Sequence, residues 1–267
     1  MPKQSGQWFI PVLLALGAGA ALWYYWSQLY EPAAPAVVDP EPVAAEPPPS
    51  IGPLHPVAPA EPEAGPQPEL VPLPPLDESD EYFRLGIVDL FGAPVETWLS
   101  DTGIIQRVVA TIDNLPRSHV AERIRPLGSL QDTFLVDGED DSGDYWISTE
   151  NYHRYELLID LALSAEVSQV ADLYRRFYPL FQAAYVDLGY PDGYFNDRLV
   201  EVIDDLLETP EVDGRIALVR PHVLYEYRDP ELEALSSGQK LLLRMGADNA
   251  SRLKERLSEF RTLITAM

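Results

Sequence analysis

The chain has 267 residues, no cysteine, 43 acidic against 19 basic side chains, and a net charge of −24 at pH 7. Without cysteine it has no disulfide, no thiol nucleophile, no thiolate metal ligand and no site for a lipidated-cysteine anchor. A charge of that sign repels DNA, RNA and anionic headgroups, so nucleic acid is not expected as a partner.

After a short N-terminus of residues 1–7, the first predicted element is a transmembrane helix over 8–30. No charge interrupts Gln4 to Tyr30, and within that stretch Trp8 to Trp26 is largely apolar. At about 1.5 Å per residue, about 19 such residues match a hydrocarbon core roughly 30 Å thick. Trp8 lies at one end and Trp23, Tyr24, Tyr25 and Trp26 at the other, as interfacial rings of a spanning helix do. Gly17 and Gly19, with Ala18, Ala20 and Ala21, leave a small-residue face that could pack a second helix. Lys3 is the only basic side chain before the span, and the next is Arg84, after a spacer that holds seven acidic residues. The positive-inside bias therefore predicts a cytoplasmic N-terminus and an exported remainder. A cleaved signal peptide is the rival reading, but the aromatic cluster stands where small residues should prepare cleavage.

Residues 31–76 hold 16 prolines among Ala, Val and Glu. Proline fixes φ and removes backbone donors, so this tract is expected as a disordered, solvated linker rich in polyproline II. Its contour reaches about 140 Å at roughly 3.1 Å per residue. It reads either as a stalk lifting the domain off the membrane or as a passive tether.

Residues 77–267 carry 36 acidic and 18 basic side chains, enough chain for one acidic domain burying about 70% of its unfolded surface. Only Lys240 and Lys254 are lysines there, and an arginine-dominated set suits bidentate pairing with carboxylates. The first predicted helix runs from the acidic turn at Asp77–Asp80 to Gly92, and a short turn follows from Pro94 to Leu99. Asp101 or Thr102 is placed to cap the next helix, whose stripe is Ile104, Ile105, Val108, Val109 and Ile112. Phe134–Val136 and Tyr145–Ile147 flank an acidic loop, Asp137 to Asp144, and read as a hairpin. The loop's five carboxylates invite a calcium reading, yet their spacing does not fit the helix–loop–helix pattern, so a solvated acidic loop is the simpler one.

Helix then dominates. A segment capped at Ser148 or Thr149 runs through Leu163, and Glu166 to Leu188 follows with Pro179 as a kink or a new start. Phe195 to Leu207 makes another amphipathic helix, ended by Pro210. Ile216–Val219 and Val223–Tyr227 read as short strands, Asp229-Pro230 as a cap with first-turn proline, and Asp248 or Asn249 as the start of the last helix. The fold class is mainly α, a multi-helix globular domain of six to eight helices with one or two short β-hairpins.

Few residues point to chemistry. Glu150 and His153 share a helix face, half of a di-iron motif whose second copy is missing. No nucleophile elbow, phosphate loop or zinc-protease helix occurs. No catalytic residue, metal or cofactor is assigned, though a carboxylate-pair hydrolase needs no local motif. The densest unusual region is Tyr174-Arg-Arg-Phe-Tyr-Pro-Leu-Phe-Gln182 with Gly189 to Asn196. Tyr174, Arg175, Arg176, Tyr178, Gln182, Tyr190, Tyr194 and Asn196 could line a groove for an extended ligand by stacking and hydrogen bonding. The plainer reading is an aromatic core whose arginines pair with neighbouring carboxylates.

That region, together with Leu188-Gly-Tyr-Pro191, Phe195-Asn196, Arg220-Pro221 and Gly238-Gln-Lys-Leu-Leu-Leu-Arg-Met-Gly246, resembles an uncharacterised bacterial envelope family, the domain of unknown function 3014. The resemblance covers nearly all of 77–267 and implies a location and a domain extent, with no activity, cofactor or catalytic residue. The sequence thus leads to a single-pass inner-membrane protein with a periplasmic domain. Its expected role is a non-enzymatic interaction or scaffold module with an envelope protein partner. The alternative is a module or hydrolase acting on cell-wall glycan or peptide through residues 174–196. Self-association has no signature in the sequence.

Overall fold

The computed structural model describes residues 52–57, 72–128, 133–139 and 143–266. The predicted span over 8–30, with Trp8, Trp23, Tyr24, Tyr25 and Trp26, lies outside the described residues. Among those residues no helix is long and apolar enough to cross a membrane.

Eight α-helices and four strands are described. In chain order they are α1 (Asp80–Phe91), α2 (Ile104–Asn114), β1 (Val136–Glu139), β2 (Asp144–Ile147), α3 (Glu150–Ser164), α4 (Val167–Asp187), α5 (Phe195–Leu207), β3 (Ala217–Val219), β4 (Glu226–Tyr227), α6 (Pro230–Glu233), α7 (Ser237–Arg244) and α8 (Ala247–Thr265).

The main core follows from the apolar stripes. Phe83 of α1, Ile104, Ile105 and Val109 of α2, six residues of α4 from Tyr174 to Tyr185, and Phe195 to Ile203 of α5 share one buried cluster with Ile264 of α8. Phe83 meets Phe177 and Phe181 edge-on at 5.1 and 5.6 Å, and Phe181 stacks on Phe195. These offset geometries suit the ring quadrupoles and add to simple area burial.

Pro179 neither kinks α4 into two helices nor starts a new one; the helix is continuous over 21 residues. The proline sits on the exposed face, where water can satisfy the carbonyl that loses its partner. The cap of α2 also differs from expectation. Neither Asp101 nor Thr102 supplies it. The carboxylate of Asp80, from the first turn of α1, accepts from the amides of Gly103 (2.7 Å) and Ile104 (2.8 Å). Gly103 adopts φ 65°, which turns both amides toward α1.

The two predicted hairpins join in one sheet. Its antiparallel order is β1-β2-β3-β4, with Val136 opposite Ile147, Tyr145 opposite Leu218 and Leu218 opposite Tyr227. Asp137 to Glu139 belong to β1, not to the loop. Tyr145, Ile147, Ile216, Leu218 and Tyr227 form a second core with Leu243. A third gathers Tyr155 and Ile159 of α3 around Leu242 and Met245.

Helix α7 therefore faces two cores with two successive leucines. A capping box, Ser236 with Gln239, starts it. Its first amides, of Ser237 and Gly238, donate to the carbonyls of Arg117 and Leu115. The helix ends at Gly246, where φ is 87° and a β-carbon would lie 2.7 Å from the Tyr152 ring. Gly246→Ala combines left-handed strain with a ring clash, and should cost about 2 kcal/mol or more in urea unfolding. An unchanged midpoint would show that Tyr152 moves aside freely.

Candidate functional site

The predicted ligand region lies where α4 turns into α5, and its polar atoms mostly tie that turn together. Gln182 donates from Nε2 to Gly193 O (2.8 Å) and accepts from the Phe195 amide at Oε1 (2.9 Å). Tyr178 donates to the same Oε1 at 3.2 Å. Tyr174 is buried and donates its hydroxyl to Asn196 Oδ1 at 2.9 Å. Burial pushes its hydroxyl well above the ordinary tyrosine range, helped by the charges of Tyr178 and Asp197. Tyr178 shifts the same way, mainly through burial, against a backbone hydrogen bond at Asn196 that lowers it. Both phenols stay protonated donors near neutral pH, so they orient partners and do not act as bases.

The arginines go elsewhere. Arg175 pairs with Asp172 at 2.8 Å and donates to Leu263 O, near the end of α8, at 2.6 Å. Arg176 is exposed, lies over the Phe177 ring and borders a separate small cleft with Asp89 and Asp172. Tyr190 stacks on Tyr185 at 4.6 Å and donates to Asp113 at 3.3 Å. Tyr194 is half-buried at the start of α5.

Asp113, which the sequence reading passed over, holds this corner in place. Its side chain is 4% exposed and accepts from Arg198 Nε (3.1 Å) and Arg117 (2.9 Å), while its carbonyl accepts from Arg198 at 2.7 Å. An acid in the last turn of α2 opposes the helix dipole, and two guanidiniums offset that as well as its desolvation. Burial works to lower the Arg198 pKa, yet its bond to Glu201 and the charges of Glu201 and Asp113 hold it above the ordinary value.

The most specific arrangement joins Asn196, one of the candidate groove residues, to residues that no motif marked. Asn196 is wholly buried, and its Nδ2 donates to Ile264 O (3.2 Å) and to His55 O (2.8 Å). The next residue, Asp197, accepts from the amides of Leu54 (2.9 Å) and His55 (2.7 Å). Val57 packs against the main core. The segment Gly52–Val57 from the middle of the proline-rich tract thus lies on the domain, as do Leu73 and Leu76 at the tract's end. Beside them an open cleft of about 900 Å³ runs along α5, bordered by Tyr194, Glu201, Asp204, Asp205 and Glu208. The signals available beforehand were the first-turn acid at Asp197 and the Pro53-x-x-Pro56 spacing.

Other candidates resolve simply. His153 Nδ1 lies 2.9 Å from Glu156 Oε1, both exposed. Of the acidic loop, Asp137 pairs with Arg215 and Asp144 with Arg228. Among the described residues no group of three His, Asp or Glu side chains could hold a metal.

Fold and site together define a mainly helical domain with a small antiparallel sheet, whose best-built site holds a short bent peptide segment. Residues 104–261 match the family described as protein of unknown function, DUF3014, and the chain belongs to that family. Searches of curated proteins and of solved structures found no match.

Asp113→Ala leaves the half-buried Arg198 guanidinium with the exposed Glu201 as its one remaining carboxylate partner and removes the carboxylate partner of Arg117. It should destabilise the domain by about 3 kcal/mol, with Asp113→Asn intermediate. Equilibrium unfolding checks this, and equal stability of the three chains would overturn the assignment.

Proposed function

We propose that this chain is a membrane-tethered interaction or scaffold module of the bacterial cell envelope. It spans the inner membrane once, with its N-terminus in the cytoplasm and its acidic domain in the periplasm. The observation that carries this reading is the direction of the polar groups between Tyr174 and Asn196. They hold helices and a peptide segment and do not converge on one reacting point. The uncharged stretch followed by a proline-rich tract supplies the tethered layout. Crosslinking the native protein in its membrane should capture a discrete envelope protein, and a reporter fused at Met267 should be active only outside the cytoplasm. A reporter active only inside, or a deletion that leaves envelope integrity normal with no captured partner, would overturn the proposal.

A second reading is a binding module or hydrolase acting on cell-wall glycan or peptide. The carboxylate-bordered cleft beside Tyr194 and α5 favours it, since it could receive a polyhydroxyl or cationic chain. The protein should then co-sediment with purified cell-wall sacculi, and paired Glu201→Gln and Asp205→Asn changes should weaken retention about tenfold. No retention of the unaltered protein would exclude it.

A further inference from the structure

The contact between the proline-rich tract and α5 has the form of peptide recognition. Three hydrogen bonds hold Leu54 and His55, and all three go to backbone atoms. Two consecutive amides donate to the two oxygens of one carboxylate, and the next carbonyl accepts from one buried amide. Two consecutive amides reach one carboxylate because the backbone bends at Leu54 and His55, and the fixed φ of Pro53 and Pro56 on either side limits the freedom of the segment. The side chains contribute little at this point: Leu54 is 71% exposed.

The receiving side is built in advance. Asn196 is 0% exposed, its oxygen is fixed by the Tyr174 hydroxyl, and its nitrogen already donates to Ile264 O. Departure of the segment would therefore leave Asn196 oriented and bonded, and would return Asp197 to solvent. A contact of few bonds, with Val57 as its main apolar foothold, can open without unfolding the domain.

We propose that Asn196 and Asp197 form a binding site for a bent, proline-bracketed peptide, and that Gly52–Val57 is its ligand in cis, acting as a releasable latch on the stalk. The site stands on geometry alone; only its consequence for the stalk rests on the interaction-module reading. With the latch closed, the chain available between residue 30 and the domain shortens to residues 31–51. Because Leu73 and Leu76 also pack on the core, that limits its reach to about 65 Å in place of about 130 Å, at roughly 3.1 Å per residue. Latching would thus set how far from the membrane the domain can meet a partner.

Hydrogen exchange at the Leu54 and His55 amides, read by NMR on the full-length chain in detergent micelles, tests the latch. Both amides should exchange more slowly than an unstructured peptide, yet faster than core amides such as Ile203. Asp197→Ala should speed both by at least about tenfold while leaving Ile203 protected. A ligand-side variant guards against a folding defect: residues 52–57 replaced by Gly and Ser at the same length. That chain should bind a synthetic peptide of residues 50–59, which the unaltered chain excludes. Unprotected amides, protection equal to the core, or no peptide binding by the emptied site would each overturn the proposal. A concentration-dependent dimer in which the segment seats on a second copy would overturn its cis assignment. Membrane topology is read separately by the Met267 reporter, so the two readings fail independently.

Discussion

The buried carboxylate of Asp113 is the constraint on which the corner between α2, α4 and α5 depends. A charge at 4% exposure is tolerable only with its counter-ions in place, so Arg198 must come down onto the end of α2. Arg198 lies in the first turn of α5, one residue after Asp197 and two after Asn196. Docking that guanidinium therefore sets the orientation of the peptide-holding pair. Tyr190 reaches the same carboxylate from the loop before α5, which fixes the loop as well. One acid thus positions two elements and a site that it does not touch.

Elsewhere the acidic chain is balanced by arginines used sparingly between elements. Arg261 grips Asp204 across α8 and α5 through two bonds, Arg252 joins α8 to Asp160 of α3, and Arg84 reaches from α1 to the carbonyls of Ser100 and Asp101. Such forked contacts use the planar guanidinium as an ammonium could not. Glu201 of α5 and Glu208 just past its end are exposed, and with a net charge of −24 the chain is strongly anionic.

The helices were legible because their stripes repeat at helical spacing, as in Ile104, Ile105 and Val109, or Phe195, Leu199, Val202 and Ile203. What stayed hidden depends on partners distant in sequence. The Asp80 cap reaches 23 residues ahead, and Asp197 meets a segment more than 140 residues earlier. Local composition carries no trace of such pairings. The region from Tyr174 to Asn196 stands out in composition, but periodicity does not say whether its rings face a ligand or the interior. Tyr174 is buried against Asn196, Tyr178 is half-buried, and Arg176 is exposed on another face. Of the residues that hold the peptide segment, only Asn196 had drawn notice.

The join between β2 and β3 pairs Tyr145 with Leu218, across three intervening helices. Closing so long a loop is entropically slow, and nothing in the first hairpin alone covers the open edge of β2. A chain synthesised from its N-terminus exposes that edge until residue 219 has emerged, and Tyr227 adds the final strand. Helix α7 follows after α6, and its Leu243 packs in the core under the sheet. Biogenesis of this domain is therefore all-or-nothing toward its carboxyl end: a product halted after α5 would carry a bare strand edge, an invitation to self-adhesion that the finished molecule withdraws.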